Sequence, residues 1–303
     1  MANNLGGVVD KYTQRLDAIL EHETKTADLN LNSELVGEFS GNGKIEIATI
    51  AMDGLGDYSR ANGFPAGDVD LSWDSYQLEH DRGREFSIDA LDDEERELIV
   101  SANVMAEFAR TKVVPEVDAI RFATLAANAG TKASAALTSS SIEDALLAAE
   151  AAISEKTDLD GTILYMTTTV KNLLRKALPY RIAEGENPNG KFETFDDMKI
   201  VTVPANRFYS AIDLYDGTTS GETDGGYVKH VSTGQSDAAG VGINFLMVNP
   251  KACAAIQKHE KLRYFSPDVN QDKDAHKWQY RLFHDLLVYT NKTKMIYAHL
   301  ATS

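Results

Sequence analysis

Two stretches of strict alternation with a long turn between them constrain this chain more than any other feature. Over residues 44–49, Ile45, Ile47 and Thr49 point one way and Lys44, Glu46 and Ala48 the other, which is the two-residue period of a β-strand. Val69, Leu71 and Trp73 alternate in the same manner with Asp68, Asp70 and Ser72. Between them lies MDGLGDYSRANGFPAG, rich in Gly, Asn, Asp and Pro, so the pair reads as a hairpin with a long tip, not a tight turn. Two strands alone are marginal in water. No neighbouring segment carries a core against which they could pack, which points to another subunit as the covering surface.

Composition narrows the class. The chain has 303 residues, of which 43% are hydrophobic and 25% charged, an ordinary globular balance that argues against disorder or a coiled rod. Asp and Glu outnumber Lys and Arg by 46 to 30, for a formal charge of -16, and such a surface repels phosphate backbones. A single cysteine, Cys253, excludes an intrachain disulfide framework and a cysteine-cluster zinc site. Ala252, Ala254 and Ala255 surround it, and it reads as a small buried residue on a helix. The N-terminus lacks the basic start and apolar core of a secretory signal, and no apolar run approaches the ~20 residues that span a bilayer. These features predict a soluble protein made in the cytoplasm.

Residues 1–38 are polar apart from an amphipathic stretch at Val9, Tyr12, Leu16, Ile19 and Leu20, and read as an arm that needs another surface. After the hairpin comes the strongest helix signal. Asp92 or Asp93 caps it, and Leu98, Ala102, Met105 and Ala109 form its stripe. Pro115 interrupts the period, which Val117, Ile120, Phe122, Leu125 and Ala126 resume; two successive helices or one long helix kinked at Pro115 both fit. TKASAALTSS marks a boundary, and Ser141 with Asp144 resembles a capping box opening the next helix. From 141 to 260, short apolar runs such as GTILYMT, Lys199 to Val203 and Ile243 to Val248 alternate with helical segments, among them PKACAAIQKHE. Residues 216–242 are glycine-rich and predict a long exposed loop, and Trp278, Tyr280 and Leu282 open a C-terminal β region.

The search for chemistry finds no specific site. Phosphate-binding glycine motifs are absent, the seven histidines lack ligand spacing, and no G-x-S-x-G elbow occurs. Asp268, Asn270, Asp272 and Asp274 suggest a calcium loop, but Lys273 stands where its turn glycine belongs and Gln279 where its bidentate glutamate belongs. No catalytic residue, cofactor or metal site is therefore assigned, and the chain does not read as an enzyme.

The order of these elements resembles the major capsid proteins of tailed bacteriophages, the Hong Kong 97-type fold, an α+β architecture. DRGREFSIDALDDEER and ARTKVVPEVDAIRFA are the most specific pieces, and GTILYMTTTVKNLLRK, DDMKIVTVPANRF and KWQYRLFHDLLVYTNKTKMIYAHL follow in the family's order. The resemblance implies an N-terminal arm at 1–40, an extended β-hairpin (E-loop) at 41–90, a P-domain with a long spine helix at 91–140 and 266–303, and a mixed-sheet A-domain at 141–265. It implies self-assembly into hexamers and pentamers of an icosahedral shell around double-stranded DNA, made in the bacterial host cytoplasm and residing in the virion. Expected partners are the chain itself, a separate scaffolding protein, since the chain begins with only a short arm, a portal and a decoration protein. No membrane is expected.

Within that resemblance, Asp57, Arg60, Asp81, Arg82, Arg84 and Glu85 are expected to form ion pairs between subunits, with Phe64, Trp73 and Tyr76 as apolar anchors. The glycine-rich loop is placed near the capsomer axis. Lys44, the only lysine of the E-loop region, lies near its base, so covalent cross-linking is not expected. The acidic balance suits a wall that surrounds DNA without gripping it. The alternatives are an encapsulin-type shell around protein cargo and a mixed α/β metal-dependent enzyme.

Overall fold

The computed structural model describes residues 24–30, 44–60, 63–89, 105–178, 180, 182–187, 190–232 and 238–302. The amphipathic stretch of the expected arm and the helix cap at Asp92 or Asp93 lie outside them.

The hairpin forms as its alternation predicts. Strands β1 (Lys44–Met52) and β2 (Val69–Gln77) pair antiparallel from Lys44 opposite Gln77 to Met52 opposite Val69. The tip is held by local hydrogen bonds: across its neck the Asp53 amide donates to the Asp68 carbonyl and the Asp68 amide to the Asp53 carboxylate, and Ser59 pairs with Gly63 further out. Strand β3 (His80–Asp89), which the sequence places with the hairpin, instead joins a separate sheet. One of its faces is half-buried and the other exposed in perfect alternation, and only a partner far along the chain completes that pattern.

The helix runs without a break from Met105 to Ala127. Its middle is a π turn at Ala109–Val113, followed by α1 (Val114–Ala127), with Pro115 in the first turn of α1. A proline has no N–H to donate and its ring crowds the carbonyl four residues back; the wider π turn lies directly before it. One continuous helix thus replaces the two-helix alternative over the described residues. Beyond Asn128, the Gly130 amide donates to the Thr293 carbonyl at 3.0 Å. A Cβ at position 130 would lie 2.6 Å from that oxygen, so the close approach requires glycine.

After β4 (Thr131–Ser134) come α2 (Ile142–Ser154), β5 (Ile163–Thr167) and α3 (Thr168–Ala177). Ser141 is the residue before α2, but its hydroxyl accepts from the Thr138 amide and makes no cap bond, so the expected capping box does not form. Strands β6 (Ile182–Asn187), β7 (Gly190–Phe195) and β8 (Met198–Val203) follow, then the hairpin of β9 (Ile212–Tyr215) and β10 (Gly226–Lys229). The last strands are β11 (Ile243–Val248), β12 (Cys253–Phe265), β13 (Ala275–Val288) and β14 (Ile296–Leu300).

A seven-stranded sheet in the order β4-β14-β11-β5-β8-β7-β6 carries the main core. In β5, Ile163 and Tyr165 face a core shared with Phe122 and Leu125 of α1, while Leu164 and Met166 face Ile142, Leu146 and Leu174 of α2 and α3. Burial on both faces explains why ILYM and FLMV read as unbroken apolar runs. The second sheet, β12-β13-β3, lays Leu262, Trp278, Tyr280 and Leu282 against Met105, Ala109, Val113 and Val117 of the helix.

Two further expectations are corrected here. PKACAAIQKHE is not a helix: a single 3-10 turn, Pro250–Ala252, leads into β12, whose Cys253 and Ala255 enter one core while Ala254 and Ile256 enter another. Tertiary pairing with β13 overrides the helical propensity of alanine. A domain boundary at 265/266 would cut the β12–β13 pair, and β14 returns to the sheet expected to hold only 141–265.

Candidate functional site

Three groups of residues stand apart from the apolar cores. The first is the hairpin tip. Leu55 is fully exposed and Phe64 is 86% exposed, with Met52, Tyr58 and Val69 also open to solvent. Tyr58 and Phe64 pack with ring centroids 4.8 Å apart and planes tilted by 55°, so the tip presents a preformed aromatic pair. Asp57, Arg60 and Asp70 are exposed beside it. Among the described residues nothing covers this apolar surface, which is the arrangement the alternation predicts. Trp73 pairs through its backbone with Ala48 in mid-hairpin. Tyr76 is half-buried at the root, where it packs on Leu78, Ala254, Ile256 and Leu287.

The second group is a cleft of about 640 Å³ between β3, the π turn with Pro115, and the β9–β10 hairpin. Arg82 anchors its floor: Nε donates to Glu116 Oε1 at 2.7 Å and Nη2 to the Gly226 carbonyl at 3.3 Å. Arg84 reaches the same hairpin, donating to the Thr223 carbonyl at 3.0 Å. Its guanidinium lies against Gly217, which has φ +76°, and a Cβ there would be 2.6 Å from Nη1. Asp216 closes the turn by accepting from the amides of Thr218 and Thr219 and from the Thr219 hydroxyl. Those donors, the hydroxyl foremost, hold its carboxyl well below the usual carboxylate range. Phe86, Phe108, Tyr209, Tyr215 and Tyr227 line the walls, and Lys112 and Lys229 stand exposed at the rim. Burial pushes the Tyr227 phenol up to about 12, and its hydroxyl donates to the Asn206 carbonyl at 3.0 Å.

Four of the six charged residues expected at a subunit interface, Asp81, Arg82, Arg84 and Glu85, therefore find partners within one chain. Arg82 and Arg84 bolt β3 to the β9–β10 hairpin. Asp81 pairs with Arg281, and Glu85 bonds Lys277 at 3.2 Å and Gln279 at 2.8 Å across the β3–β13 ladder. The glycine-rich segment is correspondingly not a free loop, because its first half folds into that hairpin. Periodicity missed it: Ile212–Tyr215 and Gly226–Lys229 are four residues each and interrupted by Asp and Gly.

The third group is a buried polar cluster that sequence reasoning did not find. Asp118 is fully buried on α1 and accepts from the amides of Lys25 and Thr26, the Thr26 hydroxyl and Arg207 Nη1. Arg121, one turn on, is also fully buried and donates to the Thr26 hydroxyl at 2.9 Å. Burial lowers the Arg121 pKa from its ordinary value, opposed by the nearby Asp118 charge. Residues 24–30 are thus strapped to the body, and Asp28 with Lys199 at 2.6 Å adds an outer tie. A charged pair spaced three apart in an apolar helix, D-A-I-R, was the available signal.

Among the described residues there is no cluster of three metal-ligating side chains and no helix long and apolar enough to cross a membrane. Cys253 is buried, and burial pushes its thiol up to about 12, unsuited to nucleophilic work.

No protein-family profile matches the sequence, and no curated protein matches it. Solved structures do. The capsid structure of cyanophage P-SCSP1u aligns with TM-score 0.59 at 12% identity, covering 88% of this chain and 85% of that one. A structure from Gordonia phage Cozz aligns with TM-score 0.58 at 12% identity, over 93% and 87% of the two chains. The mature capsid of bacteriophage PhiM1 gives TM-score 0.55 at 11% identity, over 90% and 91%. The chain has the mixed α+β, Hong Kong 97-type fold of phage capsid proteins.

Proposed function

We propose that this chain is the major capsid protein of a tailed phage, a structural subunit that assembles with its own copies into hexamers and pentamers of an icosahedral shell around double-stranded DNA. The observation that carries the reading is the shared capsid fold, which extends over about nine-tenths of the chain in three structures from different phages. The uncovered aromatic tip supports it, because a surface of that kind on a two-stranded hairpin is stable only when another body covers it.

In this reading β1 and β2 are the E-loop, the helix through Pro115 with the β12-β13-β3 sheet is the P-domain, the seven-stranded sheet with α2 and α3 is the A-domain, and residues 1–40 are the arm. The work is mechanical, with no reaction catalysed. A formal charge of -16 keeps the wall from adhering to packaged DNA. A scaffolding protein, a portal and a decoration protein are the further partners, and the virion is the final location.

Expression followed by negative-stain microscopy tests the reading: rings or shells of megadalton size are expected. Native particles should contain nuclease-protected double-stranded DNA, which separates this function from a shell around protein cargo. A small compact oligomer at every concentration would overturn it.

A further inference from the structure

In the buried polar cluster the guanidinium groups of Arg121 and Arg207 share a single carboxylate, and that carboxylate is saturated. The Lys25 amide, the Thr26 amide and hydroxyl, and Arg207 Nη1 all donate to the two oxygens of Asp118. Arg121 reaches it only through the Thr26 hydroxyl, which accepts from Nη1 at 2.9 Å. The other edge of Arg121, Nε with Nη2, is buried and has no hydrogen-bond partner among the described residues. That edge is a fork matched to an anion. Elsewhere in this chain Arg82 uses the same two atoms to hold both oxygens of Glu116, and Arg281 uses them on both oxygens of Asp81. The Tyr165 hydroxyl is buried without a partner as well.

The side chains around the fork do not supply a second negative charge. A guanidinium does not shed its proton in a protein. Tyr165 and Cys253 both feel the Arg121 charge, but burial raises the Tyr165 phenol well above its ordinary value and pushes the Cys253 thiol up to about 12, so both stay neutral. Asp28 is paired with Lys199. Arg207 keeps 17% of its side chain exposed whereas Arg121 is wholly buried, so the shortfall falls on Arg121, where an uncompensated ion is strongly destabilising. Water answers this poorly: it would accept from the fork but carries two protons of its own, and the acceptors at hand, Asp118 and the Thr26 hydroxyl, are already engaged.

We infer that the Nε–Nη2 edge of Arg121, together with the Tyr165 hydroxyl, binds one small monovalent anion that carries no proton, of which chloride is the abundant example. The anion stands where a carboxylate stands at Arg82 and brings the cluster to neutrality. Because Thr26 orients Arg121 through Nη1, the site exists only when residues 24–30 are strapped to the body, and anion binding is coupled to folding. This site is a property of the single subunit and is independent of the shell reading.

Urea denaturation of the full-length, unassembled chain tests it, with sodium chloride raised from about 1 to about 100 mM and sodium gluconate, whose anion is bulky, holding ionic strength constant. The folding equilibrium constant should rise about tenfold for each tenfold of chloride above the dissociation constant. Arg121→Met should abolish that dependence. Tyr165→Phe, which keeps the ring and loses the donor, should need about tenfold more chloride for the same gain. Crystals soaked in bromide should show an anomalous peak within hydrogen-bond reach of Arg121 Nε and Nη2. A wild-type folding constant indifferent to chloride, an equal response in Arg121→Met, or water alone at the fork in the bromide crystals would each overturn the site. Should Arg121→Met fail to fold, Tyr165→Phe and the bromide peak decide: an unshifted chloride response or no peak would sink the assignment.

Discussion

Thr26 and Asp118 are separated by 92 residues, yet Thr26 gives Asp118 both its amide, at 3.3 Å, and its hydroxyl, at 2.9 Å. The carboxylate is fully buried, and Arg121 depends on the same hydroxyl. Asp118→Ala would remove the acceptor for the strap and leave Arg121 buried without its countercharge. Loss of one partner from a buried charged group costs about 3–5 kcal/mol. Thr26→Val, which keeps the shape and removes the hydroxyl, should cost about 1–3 kcal/mol. Denaturant midpoints of the unassembled subunit measure both, and a Thr26→Val midpoint equal to wild type would show that the strap contributes nothing.

Arg82 and Arg84 make contacts within one chain, so reversing them acts on the subunit before it acts on assembly. Arg82→Glu would set a carboxylate beside Glu116, which is only 14% exposed in its side chain. Hydrogen exchange across residues 212–229 should rise in Arg82→Glu with Arg84→Glu while β5 and β11 stay protected. Unchanged exchange in that hairpin, with lower particle yield, would return these residues to the role of surface contacts.

His284 links stability to pH. Burial, with Arg121, His80 and Arg82 adding positive charge nearby, lowers its pKa to about 3 from an ordinary 6.5. Asp285 faces the same space, with Oδ1 3.9 Å from His80 Nε2, and accepts from the Glu79 amide. The unfolded chain takes up a proton as pH falls through about 6.5, whereas the folded chain stays neutral there until about 3. The contribution is therefore complete above about pH 6.5 and is lost between there and about 3, at up to about 1.4 kcal/mol per unit. Chemical denaturation at pH 7 and pH 5 should show subunit stability falling, and His284→Leu should flatten the slope.

Lys44 pairs with Gln77 at the hairpin root, the end remote from the tip. With no lysine among residues 45–90, the tip carries no side-chain amine for an isopeptide bond. Mature particles boiled in detergent should run as monomers on a denaturing gel. A ladder of covalent oligomers would contradict this.

The sequence was most informative where burial is one-sided or complete over a short range. Alternation located β1 and β2, and the apolar runs located β5 and β11 to within a residue, because each pattern reports directly on its faces. It was least informative where a distant partner decides. PKACAAIQKHE has helical composition and becomes a strand through β13, and the β9–β10 hairpin depends on arginines more than 125 residues earlier. The tip was legible as an uncovered surface. The cleft was not, since three separated segments build it and none of them carries a motif.

The pairing of β3 with β13 sets a timetable for biosynthesis. Asp81 waits for Arg281, 200 residues later, and at ribosomal speeds of 5–20 residues per second that is a delay of roughly 10–40 s. During that interval the hairpin root has no sheet to attach to. The β12-β13-β3 sheet, and with it the packing of Trp278, Tyr280 and Leu282 on the helix, is therefore completed only when translation is almost finished, so the helix begins its existence with that face bare.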